Sequence, residues 1–228
     1  MDSHLLFLLN SKWTHPFLDR VLGILSCMEF WFPIFALGAV LLLWKYGIRG
    51  AACLIFCALA VLVNEEGVSQ PLKKWTARAR PHQSQEGVRR VDMAPIRPKV
   101  MAAFAPMQIS FSGAPNPKDS NKRSFPSSHT LNATTLGLVF ALFFRSRLWL
   151  LLPLLMAWSR VYTGAHWPSD VLSSLVLGLF VNGGLIWAAE WFWRRRLDRL
   201  RPEWVRRWPV FLIPSASSLQ TANASSPV

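Results

Sequence analysis

Five apolar runs, each ended by charge or by a polar turn, constrain the fold of this chain more than any other feature of its sequence. Residues 30–44 (FWFPIFALGAVLLLW) stop at Lys45, residues 51–63 (AACLIFCALAVLV) at Glu65 and Glu66, and residues 131–144 (LNATTLGLVFALFF) at Arg145. Residues 148–158 (LWLLLPLLMAW) follow, and residues 171–193 stop at Arg194, Arg195 and Arg196. Crossing a hydrocarbon core takes about 20 largely apolar residues, so the pattern predicts an all-α, polytopic transmembrane helix bundle of five spans. The opening segments HLLFLLN and FLDRVLGILSCM are shorter and are interrupted by Lys12, Asp19 and Arg20. They read as interfacial amphipathic helices, with a sixth span left open. No basic start precedes a long apolar region there, so a cleavable signal peptide is not expected.

Composition agrees with that reading. The 228 residues are 52% hydrophobic, with 12 Trp and 15 Phe, yet carry a formal charge of +13. Apolar spans joined by basic loops account for both values, and a soluble core does not. Residues 1–200 are expected to form one membrane domain, and 201–228 a basic and then disordered tail. Between the second and third spans, a stretch of about 70–128 is rich in Pro, Gly, Ser and Arg, shows no sustained period after Pro81, and is expected to be mostly loop. Cys27, Cys53 and Cys57 sit in apolar surroundings and read as inert buried thiols; no metal-ligand spacing is present.

Counting spans brings three polar clusters to one face: KKWTARARP after the second span, SFPSSH before the third, and SRVYTGAHWPSD between the fourth and fifth. Loops from distant parts of the chain thus assemble one site on a helical bundle. Lys73 and Arg80 lie two helical turns apart, so a helix through this stretch, ended by Pro81, projects both cations from one side. Arg160 adds a guanidinium, whose fork of donors matches the oxygens of a tetrahedral oxyanion. The same cations at helix ends can instead act as interfacial anchors.

The histidines turn an anion site into a reactive one. His166 and Asp170 are four residues apart with Pro168 between them at a helix start, so the carboxylate can hold one ring nitrogen and leave the other as a nucleophile. His129 is on the same face, able to protonate a leaving oxygen near neutral pH. Ser127 and Ser128, where a helix begins, offer hydroxyl and amide donors, although serine there also serves as a plain helix cap.

Lys73 with Arg80-Pro81, PSSH at 126–129, and SRVYTGAHWPSD with Ser159, Arg160, His166 and Asp170 resemble the three-part signature of the type-2 phosphatidic acid phosphatase superfamily, which also contains vanadium haloperoxidases. The resemblance implies that Lys73, Arg80, Arg160, Ser127 and the Ser128 amide bind phosphate. It further implies that His129 is the acid, His166 the nucleophile that becomes phosphohistidine, and Asp170 its orienting partner. Ser128 departs from the family pattern, which most often has Gly there. No cofactor and no metal is implied.

By the same resemblance the chain is expected to be a membrane lipid phosphatase, with a polyprenyl (undecaprenyl) diphosphate as first substrate. A lipid phosphotransferase, a lipid A or phosphatidylglycerophosphate phosphatase, and a vanadium haloperoxidase are the alternatives. Its partners would be the lipid phosphate and the bilayer, with no nucleic acid; the basic run RRRLDRLRPEWVRRW reads as a segment lying on anionic lipid heads. Short turns and tail hold eleven basic residues, as does the 73–123 stretch. Orientation follows the short segments, so the site, with a loop of about 82–123, is expected to be extracytoplasmic on a bacterial inner membrane. Glu65 and Glu66 stay outside the site, and His15 and His82 read as loop histidines.

Overall fold

The computed structural model describes residues 1–115, 123–200 and 202–203. The expected tail at 201–228 falls almost wholly outside them. Helices dominate: α1 (Asp2–Phe7), α2 (Pro16–Ser26), α3 (Met28–Leu62), α4 (Gln70–Thr76), α5 (Pro81–Ser84), α6 (Lys99–Ala102), α7 (Ser128–Phe143), α8 (Leu151–Tyr162) and α9 (Pro168–Phe192). Between α5 and α7 the chain adds two strands, β1 (Arg89–Asp92) and β2 (Gln108–Phe111), paired antiparallel with Arg89 opposite Phe111. This small sheet lies in the stretch expected to be mostly loop and is an addition to the expected all-α architecture. Strands of four residues are too short for a period of two to stand out from the surrounding sequence.

Among the described residues, two helical stretches, Met28–Ser84 and Pro168–Arg196, are long and apolar enough to cross a membrane. The first is broken at Gly47, whose φ of 53° and ψ of −127° lie in a region that favours glycine. A Cβ on Gly50 would come within 2.4 Å of the Leu42 carbonyl oxygen. Residues eight apart on a straight helix are about 12 Å distant, so the backbone reverses at the KYGIRG turn that separates the first two apolar runs. α1 and α2 have 6 and 11 residues. At about 1.5 Å per residue, neither by itself reaches across a hydrocarbon core.

Helix α7 is the centre. It packs against α3, α8 and α9, and Leu131, Ala133, Thr134, Thr135, Gly137, Val139 and Phe143 along it are all buried. A helix buried on every side belongs to a bundle core. Polar groups inside meet one another: Asn64 donates to Thr135 Oγ1 at 2.8 Å, and Thr135 donates to Asn182 Oδ1 at 2.8 Å. Outside, Leu37, Val40, Ile55, Leu59, Leu172 and Phe180 are exposed on α3 and α9. Polar pairs inside and contiguous apolar side chains outside invert the soluble pattern and mark a surface made for an apolar surrounding.

The N-terminal segment is strapped to the site end of the bundle. Asn10 Nδ2 donates to the carbonyls of Arg89 and Tyr162, both at 2.7 Å, and Asn10 Oδ1 accepts from the Arg89 amide at 2.9 Å. Buried Asp19 on α2 pairs with Arg89 at 2.5 Å and accepts the Tyr162 hydroxyl at 2.6 Å. Gly164 (φ 70°) turns the chain out of α8, and a Cβ there would meet the Arg89 carbonyl oxygen at 2.4 Å. These contacts fix the end of α8 that bears Arg160.

Close approach of α7 to α8 depends on Gly137, where a Cβ would lie 2.8 Å from Pro153 Cδ and 3.0 Å from the Trp149 carbonyl oxygen. Gly137→Leu is expected to lower the thermal midpoint in detergent, since overpacking costs about 1–3 kcal/mol. Gly183→Ala, with nothing within 4 Å of the added methyl, should leave the midpoint equal or higher. Equal midpoints for Gly137→Leu and wild type would mean that α8 is free to move aside.

Candidate active site

Hydrogen bonds tie the three polar clusters into one site. Lys73, on the last turn of α4, donates to Ser128 Oγ at 2.5 Å, and Ser69 Oγ lies 2.6 Å from the same oxygen. Arg78 Nη1 reaches Asp170 Oδ1 at 2.5 Å, joining the first cluster to the third. Ser124 donates to Asp170 Oδ2, and the Ser127 amide donates to Ser174 Oγ at 2.8 Å, joining the second to the third.

Local sequence explains these placements. Ser127 is the N-cap of α7: its oxygen accepts the Thr130 amide at 3.5 Å and the Thr130 hydroxyl at 3.0 Å. With no exposure, Ser127 uses its cap oxygen and its amide within the fold. The amides of Ser128 and His129 then open the helix, where main-chain donors have no partner inside it. Pro168 starts α9, and Asp170 at its third position accepts the Trp167 amide at 3.1 Å. That is the capping arrangement expected of a carboxylate in a first turn.

The route from Lys73 to Arg80 differs from the expected single helix. α4 ends at Thr76, Ala77 takes a left-handed conformation (φ 47°), and Arg80 is extended before Pro81. A residue preceding proline is pushed out of the helical region. The carbonyls freed by the break are taken from outside: Ser124 donates its amide to Arg78 O at 2.8 Å, and Trp167 Nε1 donates to Ala79 O at 3.0 Å. Both cations still reach the site, by a break that the seven-residue spacing did not show.

Lys73, Arg80, Arg160, His129 and His166 are near enough to act on one another's charge. Among the described residues, Lys73, Arg80 and Arg160 have no carboxylate within ion-pair distance. Arg160, 8% exposed, donates through Nη1 to Ser26 Oγ and, at 3.2 Å, to the Ser26 carbonyl. Its Nε, the Arg80 Nε and the His166 Nδ1 are buried without a partner. Buried donors are nearly always satisfied; Arg49 Nε and Arg89 Nη1 are orphaned as well, and those of Arg80 and Arg160 lie near the Lys73 charge. No group of three or more His, Cys, Asp and Glu that could hold a metal occurs among the described residues.

His166 is 2% exposed and lies 3.9 Å from Asp170 Oδ2 through Nδ1. At that distance the carboxylate acts by its charge and not by a hydrogen bond. Burial holds the imidazole below its ordinary pKa, the charges of Arg160 and Arg80 push the same way, and Asp170 opposes them. Burial thus favours the neutral ring, the form that carries a nucleophilic lone pair.

Sequence reasoning passed over Arg78, Ser124, Ser69 and Ser174. Arg78 has the same charge as Arg80 two residues on, and only the break after Thr76 separates their roles. Ser124 was inside the quoted SFPSSH, but a hydroxyl carries no mark of its partner. Glu65, left outside the site, accepts from Asn132 Nδ2 at 2.9 Å and acts on the charge of Lys73.

A family model described as "PAP2 superfamily" matches residues 53–196. Among curated proteins, the chain is 40% identical over 73 residues to the putative undecaprenyl-diphosphatase YbjG of Escherichia coli (strain K12), covering 29% of this chain and 36% of that protein. It is 33% identical over 89 residues to the undecaprenyl-diphosphatase of Sulfolobus acidocaldarius, covering 36% of this chain and 42% of that one. The matched stretches thus span between about a third and two fifths of those relatives. The crystal structure of Aquifex aeolicus LpxE is similar with a TM-score of 0.48 and 19% identity, over 81% of this chain and 93% of that one.

Ser128→Ala removes the oxygen held 2.5 Å from the Lys73 ammonium while Ser127 keeps the helix cap. A hydrogen bond to a charged group contributes about 1.5–3 kcal/mol, so orthovanadate, a tetrahedral oxyanion, is expected to bind about tenfold more weakly by isothermal titration. Unchanged affinity would show that Lys73 does not depend on Ser128 for its position.

Proposed function

We propose, from the premise that this chain belongs to the PAP2 superfamily, that it is an integral membrane phosphatase acting on a lipid phosphate or diphosphate, with a polyprenyl diphosphate as its first substrate. The observation that carries the reading is the set of orphaned donors, Arg80 Nε and Arg160 Nε beside Lys73, around a buried neutral histidine. Such a site accepts a phosphoryl group by charge and presents a nucleophile to it. The names of the Escherichia coli and Sulfolobus relatives favour an undecaprenyl diphosphate.

In this reading His166 Nε2 attacks the terminal phosphorus, and the bond from phosphorus to the bridging oxygen breaks. His129 gives that oxygen a proton, so the lipid leaves as a monophosphate. Water, deprotonated by His129, then attacks the phosphohistidine; the P–N bond breaks, phosphate departs and both histidines regain their starting states. Lys73, Arg80 and Arg160 hold the equatorial oxygens, where charge accumulates in the transition state. Asp170 stabilises the imidazolium that forms as His166 commits its lone pair.

The membrane arrangement belongs to the same proposal. Five spans would be supplied by the two arms of α3 on either side of Gly47, by α7, by the stretch through Arg147–Leu150 and α8, and by α9. Basic residues in the short turns and the Arg-rich tail put those segments in the cytoplasm, leaving the site facing outward.

The test is phosphate release from purified lipids in detergent, comparing a polyprenyl diphosphate, phosphatidic acid, phosphatidylglycerophosphate and a lipid A phosphate. The polyprenyl diphosphate is expected to turn over fastest; faster release from another lipid would reassign the substrate. His166→Ala should abolish turnover with the helical signal and melting intact, and turnover in that variant would remove the phosphohistidine route. His129→Ala is expected to slow lipid substrates by about a hundredfold to ten-thousandfold and aryl phosphates much less, because a good leaving group needs no proton.

A further inference from the structure

Arg78 falls outside the three-part signature, yet its side chain is forked between two carboxylates at the edge of the site. Nη1 donates to Asp170 Oδ1 at 2.5 Å and to Ser169 Oγ at 2.8 Å, while Nη2 donates to Asp2 Oδ2 at 2.6 Å. Asp2 in turn accepts the Ser169 amide at 2.9 Å and the Ser169 hydroxyl at 2.6 Å. The guanidinium lies over the Trp167 ring, 5.3 Å from its centroid. Asp2, Arg78, Asp170 and His166 thus form a row of alternating charge that ends on the nucleophile.

We propose that Arg78 is a positioning residue of this site and Asp2 its counter-charge, so that the N-terminal segment regulates how much of the Asp170 charge reaches His166. The proposal rests on the phosphohistidine reading above. Its basis is a competition visible in the distances. Asp170 is fully buried and is held at 2.5 Å by Arg78, but it is 3.9 Å from His166 Nδ1. Of its two oxygens, Oδ1 is taken by Arg78, and Oδ2 by Ser124 and the Trp167 amide. Arg78 is the charged member of the three donors that fix the carboxylate, and so bears most on the share of its charge left for the imidazole.

Stability alone does not account for the arrangement. The Asp2–Arg78 pair is a quarter to a third exposed, and such pairs add little to folding. Its inner end is different: a buried carboxylate transmits charge through a low-dielectric surrounding, where small displacements matter. Other charged groups facing His166 are Arg160 at the end of α8, Arg80 before α5 and His129 on α7, besides Asp170 on α9. None of them is altered by changes at positions 2 and 78.

The two ends of the row have opposite signs, which gives the test its direction. Arg78→Gln removes a positive charge and releases Asp170, so protonated His166 is stabilised and its titration moves to higher pH. Asp2→Asn leaves the Arg78 charge less offset; it draws more on Asp170, and the His166 titration moves to lower pH. Turnover needs neutral His166, so the acid limb of kcat/KM follows in the same directions.

In the full-length protein in detergent, the titration is read by NMR from 15N-labelled histidine, with the His166 signal assigned by its loss in His166→Gln. On the polyprenyl diphosphate, Arg78→Gln is expected to lower kcat by about 10- to 100-fold, as for other residues that orient a reacting group, with KM within about twofold. Arg78→Lys, with charge but no fork, should recover part of that loss. Asp2→Asn should shift the titration less in the Arg78→Gln background than alone, because the Asp2 effect that passes through Arg78 is then lost and only its bonds to Ser169 remain. The proposal is overturned if both single variants move the titration the same way or leave it unmoved, or if Arg78→Gln raises KM at unchanged kcat. The NMR reading needs no substrate: a wild type that released no phosphate would refute the proposed reaction, while opposed shifts at His166 would still uphold the row.

Discussion

A single buried carboxylate, that of Asp170, organises the site end of this protein. It has no solvent exposure and accepts hydrogen bonds from Arg78, Ser124 and the Trp167 amide. Those donors come from the stretch after the second apolar run, the stretch before the third, and the start of α9. A buried charge is tolerated only where it is paired and hydrogen-bonded, so its requirement draws the three segments together. With them come Lys73, His129 and His166. The geometry of the candidate site is in this sense a consequence of satisfying one anion in a place without water.

Around that centre the pattern of polarity is divided. Inside the bundle, Asn64, Thr135 and Asn182 satisfy one another across helices. At the mouth, cations gather without carboxylate partners, and Arg80 Nε, Arg160 Nε and His166 Nδ1 stay unsatisfied. Elsewhere the same fold pairs Asp19 with Arg89 and Tyr162 where α2 packs against α8, although Arg89 Nη1 has no partner among the described residues. Unpaired donors at Arg80 and Arg160 cost stability, which an arriving oxyanion would restore in the proposed reading.

Helices on the scale of the apolar runs were legible because length and composition govern burial directly. The helix start at Pro168 and the cap at Ser127 were legible because those residues have strong local preferences. The β1–β2 pair was not, since four-residue strands owe their existence to a partner and not to their own pattern. The continuous helix from Lys73 to Arg80 was misread: spacing gave the right side for both cations, but the break at Ala77 is stabilised by Ser124 and Trp167 from distant sequence.

For the candidate site, sequence alone determined which side chains are present and which face of the bundle they reach. Residue type and order carry that information: Lys73, Arg80, Ser127, Ser128, His129, Arg160, His166 and Asp170 each stand in a motif of short range. What only the tertiary structure decided is how their charges are shared. Asp170 is closer to Arg78 than to His166, Lys73 is held by Ser128, and Asp2 faces Arg78. The reason is that a hydrogen bond depends on distance and angle between groups brought together by the whole fold, and a carboxylate offered several donors divides itself among them by geometry that no local pattern encodes.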